Sequence, residues 1–347
     1  MKLGLERLEE QIPSTVSPLV RRAEPRMGKS DGRETGLGAQ VCASLGAAAW
    51  AGIAVLARLG AIELIFLFAP LVIVPLALEL GRMIGAGGWF EDQAQRLQPV
   101  GAALAVAAML MPPGGKAGFL AAGWMVVCLL MAGAGVIGLV SALWQDAGRS
   151  ARATLVRVTL AIAKIDLAVG GAWLVASRLG MRPMGIQEPI GLLTAVHFHY
   201  AGFATATIAA ATLTFATERG KHRWLRLVVL MVVSLPFVVA AGFVVSPALK
   251  MVAALLFSVS VAGLAVFLRA CGREAADKTA RVLLQVAAGA VFAGMVVSGV
   301  YAVADLVGSD VLTIPQMART HGILNAVGFC LPALLGWLVE HRGSGQA

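Results

Sequence analysis

The chain has 347 residues, 59% of them hydrophobic and only 14% charged, with a formal net charge of +9. Soluble domains carry about 45–50% apolar and about 25% charged residues, so this composition excludes a disordered chain, a nucleic-acid-binding domain and an ordinary soluble enzyme. A water-soluble fold cannot hide this much apolar surface, which makes lipid the solvent.

Residues 1–39 are polar and mix charges, with Arg21, Arg22, Arg26 and Lys29 against Glu24, Asp31 and Glu34. They lack the apolar stretch of a cleavable signal peptide and read as a mobile cytoplasmic tail, with Met27 as an alternative start. Ten apolar segments follow, at 41–57, 61–81, 97–112, 118–144, 154–177, 190–216, 225–246, 248–268, 282–304 and 319–339, and 341–347 form a short tail. A crossing needs about 20 apolar residues to span about 30 Å of hydrocarbon. Backbone groups in lipid must bond within their own segment, so all ten are expected to be helices. Pro112-Pro113-Gly114-Gly115 and Ser246-Pro247 mark tight turns. Pro70 and Pro236 mark places where the second and seventh helices are expected to break. The four cysteines, Cys42, Cys128, Cys271 and Cys330, lie in or beside different apolar runs without CxxC spacing and read as small buried residues.

Lys and Arg sort strongly by side. With the N-terminus inside and strict alternation, 21 fall in cytoplasmic segments and 6 outside, with Lys164 left within the membrane. The expected fold class is therefore an all-α integral membrane protein of about ten transmembrane helices with both termini cytoplasmic. The 40–340 region forms one transmembrane domain.

Ionisable groups inside a bilayer cost about 2.5–3.5 kcal/mol each on insertion scales and ask for a reason. The candidates are Glu63 in the second helix, Lys164 and Asp166 in the fifth, His197, His199 and Tyr200 in the sixth, Tyr301 and Asp305 in the ninth, and His321 and Asn325 in the tenth. At 1.5 Å per residue, His197 lies about 10 Å in from the outer face and Asp166 about 12 Å. Five helices thus place polar groups in the outer half of the bilayer, and the expectation is one pocket opening away from the cytoplasm. His197, Tyr200 and Ala204 share one helical face, whereas His199 points about 200° away from His197. Lys164 is expected to neutralise Glu63 or Asp305, and Asp166 to orient a histidine. His321, Asn325 and Gly328 share a face, with Asn325 free to bond a neighbouring helix and Gly328 to allow close packing.

Two stretches, His197-Phe198-His199-Tyr200-Ala201-Gly202-Phe203 and His321-Gly322-Ile323-Leu324-Asn325-Ala326-Val327-Gly328-Phe329, resemble the signatures of YndJ-like bacterial membrane proteins. The resemblance covers roughly residues 40–340 and implies a multi-pass protein of the bacterial cytoplasmic membrane. Some members of that family carry a further soluble C-terminal domain, so the chain resembles the membrane module. The family is often described as a transporter. The second stretch also faintly resembles His-containing helices of haem–copper oxidase relatives.

Two functions compete. The first is a cofactor-free acid–base isomerase or cyclase that takes an apolar small molecule from the membrane lipid. Asp166 or Glu63 would serve as acid, and His197 or His321 as base. His199, Tyr200, Asn325, Lys164, Tyr301 and Asp305 would line the substrate site. No phosphate-cradling or dinucleotide motif is present, and neither a metal nor a cofactor is expected. The second is a proton-coupled small-molecule transporter in which the same groups titrate in turn. Few ionisable groups are expected in its inner half. Haem or metal binding through His197 or His199 with His321 is a third reading.

Overall fold

The computed structural model describes residues 32–85, 87–144, 151–220, 223–309 and 311–344. Most of the expected 1–39 tail and residues 345–347 lie outside the described residues, but the backbone of 32–39 is already helical. Ten helical rods run through the described residues: α1 Gly32–Leu56, α2 Ala61–Ile84, α3 Trp89–Met109, α4 Gly115–Trp144, α5 Ala151–Leu179, α6 190–218, α7 Arg223–Val245, α8 Pro247–Glu274, α9 Lys278–Leu306 and α10 314–344.

Eight of the ten are long and apolar enough to cross a bilayer; α3 and α6 fall short on composition. The reasons differ. α3 begins at Trp89, eight residues before the expected start, and so takes in Glu91, Asp92 and Arg96. α6 carries His197, His199, Tyr200 and several threonines, yet almost all of residues 198–216 are buried by other helices rather than by lipid. The hydroxyls of Thr207 and Thr212 donate to the carbonyls of Phe203 and Ile208, both at 2.8 Å, so the helix consumes its own polar groups.

α2 and α6 form the inside of the bundle. The most apolar window of α2 is 78% buried, against 17% for α1 and 28% for α4 and α7. The peripheral helices instead turn large apolar side chains outward (Val55 on α1, Phe119 on α4, Val259 on α8), as lipid contact requires.

Three of the rods are not uniformly α-helical. α2 is π-wound at Ala69–Ile73, α6 at Phe198–Ala204, and α10 at Ala318–Gly322 and Leu324–Cys330. The segments at 69–73, 198–204 and 324–330 touch one another, so the irregular turns of three helices converge in the bundle interior. Proline accounts for part of this. Pro75 lacks the N–H that would bond Leu71 O, and that carbonyl faces Gly46 of α1 so closely that a Cβ there would sit 1.9 Å from it. Val74 N–H reaches back to Ala69 O, which leaves Pro70 O without a helical donor; the buried Gln98 side chain of α3 supplies one at 2.6 Å. The expected break at Pro70 is thus a π turn with a side-chain patch. At Pro236 the structure departs from expectation: α7 continues through it as α-helix.

At the end that the charge count assigns to the cytoplasm, ion pairs tie the rods together. Arg82 of α2 bonds Asp92 at 2.5 Å and Gln95 at 2.9 Å on α3. Arg342 of α10 lies 3.6 Å from the buried Glu79 of α2.

Candidate functional site

α5 and α6 cross at glycines. A Cβ on Gly170 would lie 2.6 Å from His199 Nδ1, and one on Gly202 would lie 2.8 Å from both Cβ and Oδ2 of Asp166. Only a bare backbone lets α5 press its Asp166 against the π turn of α6. Asp166 is fully buried there, and among the described residues neither of its carboxylate oxygens has a hydrogen-bond partner.

His199 flanks this contact and is completely committed. Its Nδ1 donates to Ala195 O at 2.8 Å, and its Nε2 accepts from Trp124 Nε1 of α4 at 2.9 Å, with the two rings stacked 5.9 Å apart. These bonds fix one neutral tautomer. His199 therefore braces α4, α5 and α6, and its polar atoms are already taken, which weighs against the expected role in substrate contact. Tyr200 is likewise buried, its hydroxyl donating to Ile65 O of α2 at 2.9 Å. The π winding breaks the regular face that His197, Tyr200 and Ala204 were expected to share: His197 is exposed and Tyr200 is not.

His197 and His321 stand within electrostatic reach of each other, His197 exposed and His321 half-buried. His197 Nδ1 donates to Leu193 O at 2.7 Å and His321 Nδ1 to Gly294 O of α9 at 2.9 Å. Asn325 Nδ2 donates to His321 O at 2.7 Å and lies 3.2 Å from His321 Nδ1, within its own helix rather than against a neighbour as expected. Gly328 does pack closely, its missing Cβ leaving 2.8 Å to Ala290 Cβ on α9.

The remaining candidates lie elsewhere. Lys164 does not neutralise Glu63 or Asp305. It pairs with Glu91 of α3, at side-chain exposures of 13% and 6%, because α3 begins early enough to present that carboxylate to α5. Beside this pair is a small cavity, with room for about one water, lined by Gly81, Glu91, Lys164, Phe203 and Thr207 among others. Asp305 pairs with Lys250 of α8 at 2.7 Å and stands near Tyr301 on its own helix, about 16 Å along α9 from Gly294. Glu63 folds back toward Gly60 and lies, with Glu188, within electrostatic reach of the buried Arg178. The expected single hollow is thus resolved into two histidines on α6 and α10, a buried carboxylate at the α5–α6 crossing, an α3–α5 ion pair, and two clusters at helix ends. A larger cavity of about 700 Å³ lies against α8 and α9, is almost wholly apolar, and is lined by none of the expected residues.

Sequence reading missed Glu91, Trp124 and Gln98. The signal for α3 was present: Glu91, Ala94, Gln98, Ala102 and Ala105 follow at three- and four-residue steps, and all are buried. Read as one face, that stripe carries Glu91 and Gln98 into the bundle.

A polytopic α-helical bundle whose innermost helices are irregularly wound around a buried carboxylate defines the class: an integral, multi-pass membrane protein. The family described as YndJ-like protein matches over residues 64–329, more than half of the chain, and the chain belongs to it. The Uncharacterized membrane protein YndJ of Bacillus subtilis (strain 168) is 29% identical over 261 residues, covering 74% of this chain and 44% of that protein. The chain therefore spans less than half the length of this relative. No solved structure matches.

Proposed function

We propose that the chain is a proton-coupled small-molecule transporter of the cell membrane. The observation that carries this reading is Asp166, fully buried with both carboxylate oxygens unpartnered among the described residues. A buried carboxylate with no donor or counter-charge beside it is costly to keep charged. On this reading Asp166 takes up a proton in this arrangement of α5 and α6 and releases it in another that exposes it. That links occupancy by a proton to the arrangement of α5 and α6, the element that coupled transport requires. The converging π turns of α2, α6 and α10 support the same reading, since irregular winding within a bundle recurs where helices bind and move. The Glu91–Lys164 pair, with Glu79 and Arg342 nearer the end that the charge count assigns to the cytoplasm, supports this reading by supplying charged groups beyond those expected there.

The test is reconstitution. Proteoliposomes supplied with a bacterial metabolite extract are given a pH step, and mass spectrometry identifies what accumulates. Accumulation that collapses with a protonophore and is lost in Asp166→Asn is the expected result. Gradient-independent uptake equal in both proteins sinks the reading. A second reading, the cofactor-free isomerase or cyclase, is favoured by the free Nε2 atoms of His197 and His321, which are placed to accept a proton. It predicts conversion of a compound in detergent with no gradient.

A further inference from the structure

We infer that the rim of α7, α8 and α9, at the end that the charge count assigns to the cytoplasm, binds the headgroups of anionic phospholipids. The three rods lie side by side. A Cβ on Gly263 of α8 would lie 3.3 Å from Val228 Cγ2 on α7, and one on Gly272 would lie 2.8 Å from Leu284 Cβ on α9. Each rod carries exposed apolar side chains at helical spacing, as a lipid-facing surface does: Leu227 and Leu230 on α7, Val259 and Val266 on α8, Val282 and Val286 on α9. One further step along each stripe reaches a cation. Arg223 stands four residues before Leu227, Arg273 seven after Val266, and Lys278 four before Val282.

All three cations are exposed, and among the described residues none of them forms an ion pair. The acids of this rim are engaged by the protein itself: Asp277 accepts from Ala280 N at 2.9 Å, and Glu218 and Glu274 face Arg219 at 3.7 and 3.9 Å. The opposite end of the same rods differs, because its Lys250 is spent on Asp305 at 2.7 Å. Uncompensated cations at the ends of neighbouring lipid-facing stripes place positive charge at the level of the phosphate groups. The exposed Trp224, whose ring lies 5.5 Å from the Arg223 guanidinium, is the amphipathic side chain suited to that level. A guanidinium grips phosphate through two parallel N–H bonds. Phosphatidylglycerol offers such a phosphate without the ammonium that neutralises it in phosphatidylcholine, so charge complementarity selects the anionic lipid.

The test reads Trp224. The protein is reconstituted in phosphatidylcholine vesicles that contain a brominated lipid at equal mole fraction, either phosphatidylglycerol or phosphatidylcholine. Bromine quenches an indole that it touches, and subtracting the signal of Trp224→Phe isolates this residue from the other tryptophans. Brominated phosphatidylglycerol is expected to bind beside Trp224 at least about three-fold more tightly than brominated phosphatidylcholine. The preference is expected to weaken as salt is raised and to vanish in the Arg223→Gln, Arg273→Gln, Lys278→Gln triple variant. The unsubstituted protein gives a readout that needs no variant at the cations. Equal quenching by the two lipids overturns the site and leaves its cations to a soluble anionic partner; a preference unchanged in the triple variant overturns it as well. No gradient is used, so failure here leaves the transport reading standing.

Discussion

Asp166 and Lys164 are two residues apart and live in opposite circumstances. Lys164 has a carboxylate partner in Glu91, whereas Asp166 has no partner among the described residues. Removing one member of a buried ion pair strands the other, at about 3–5 kcal/mol, whereas replacing both by apolar groups of similar volume is often neutral. Lys164→Met and Glu91→Gln are therefore each expected to lower the thermal midpoint in detergent strongly, and the Lys164→Met, Glu91→Met double substitution to recover most of the loss. An additive double variant contradicts the pairing. Asp166→Asn has no such partner to strand, so its midpoint is expected to stay within about 1 kcal/mol of the unsubstituted protein, even where coupled transport is lost. Asp166 was legible in the sequence because charge at that depth is rare. Its lack of a partner was not, because partners come from other helices and spacing along one helix says nothing about them. Glu91 went unseen for a related reason: three charges within six residues read as a loop, although the small-residue stripe behind them fits a buried helical face.

The helices were the most legible elements. All ten expected segments overlay an observed rod, with ends shifted by a few residues except where α1 and α3 begin earlier. Hydropathy marks where lipid is the solvent, and α6 emerges only because its segment is still largely apolar. The π turns were hidden apart from the hint at Pro70, since winding depends on which main-chain donor a neighbour can replace. Glycine at a helix crossing is the second element-level device. At Gly46 an added methyl would meet the rigid Leu71 carbonyl at 1.9 Å. Gly46→Ala is expected to separate α1 from α2 and cost about 1–3 kcal/mol, measured as a fall in thermal midpoint; Gly52→Ala, which meets nothing within 4 Å, is the control and should leave it unchanged.

For the whole molecule, the distribution of positive charge predicts both ends of the chain on the cytoplasmic side. A fluorescent protein fused after residue 347 is expected to mature and glow, and alkaline phosphatase at the same place to stay inactive. The reverse pattern would invert the orientation and, with it, the side from which His197 and His321 are reached. The same orientation puts the Arg82–Asp92 and Arg342–Glu79 pairs at the inner face, where they lace α2 to α3 and α10.

The stacked and hydrogen-bonded contact between Trp124 and His199 gives the protein an optical gauge of its own. Indole emission is sensitive to a nearby imidazole, so any sliding of α4 against α6 should alter brightness or wavelength without a dye. Subtracting the spectrum of Trp124→Phe isolates that signal from the other tryptophans. Candidate solutes can then be screened in a plate reader before any of them has been followed across a bilayer.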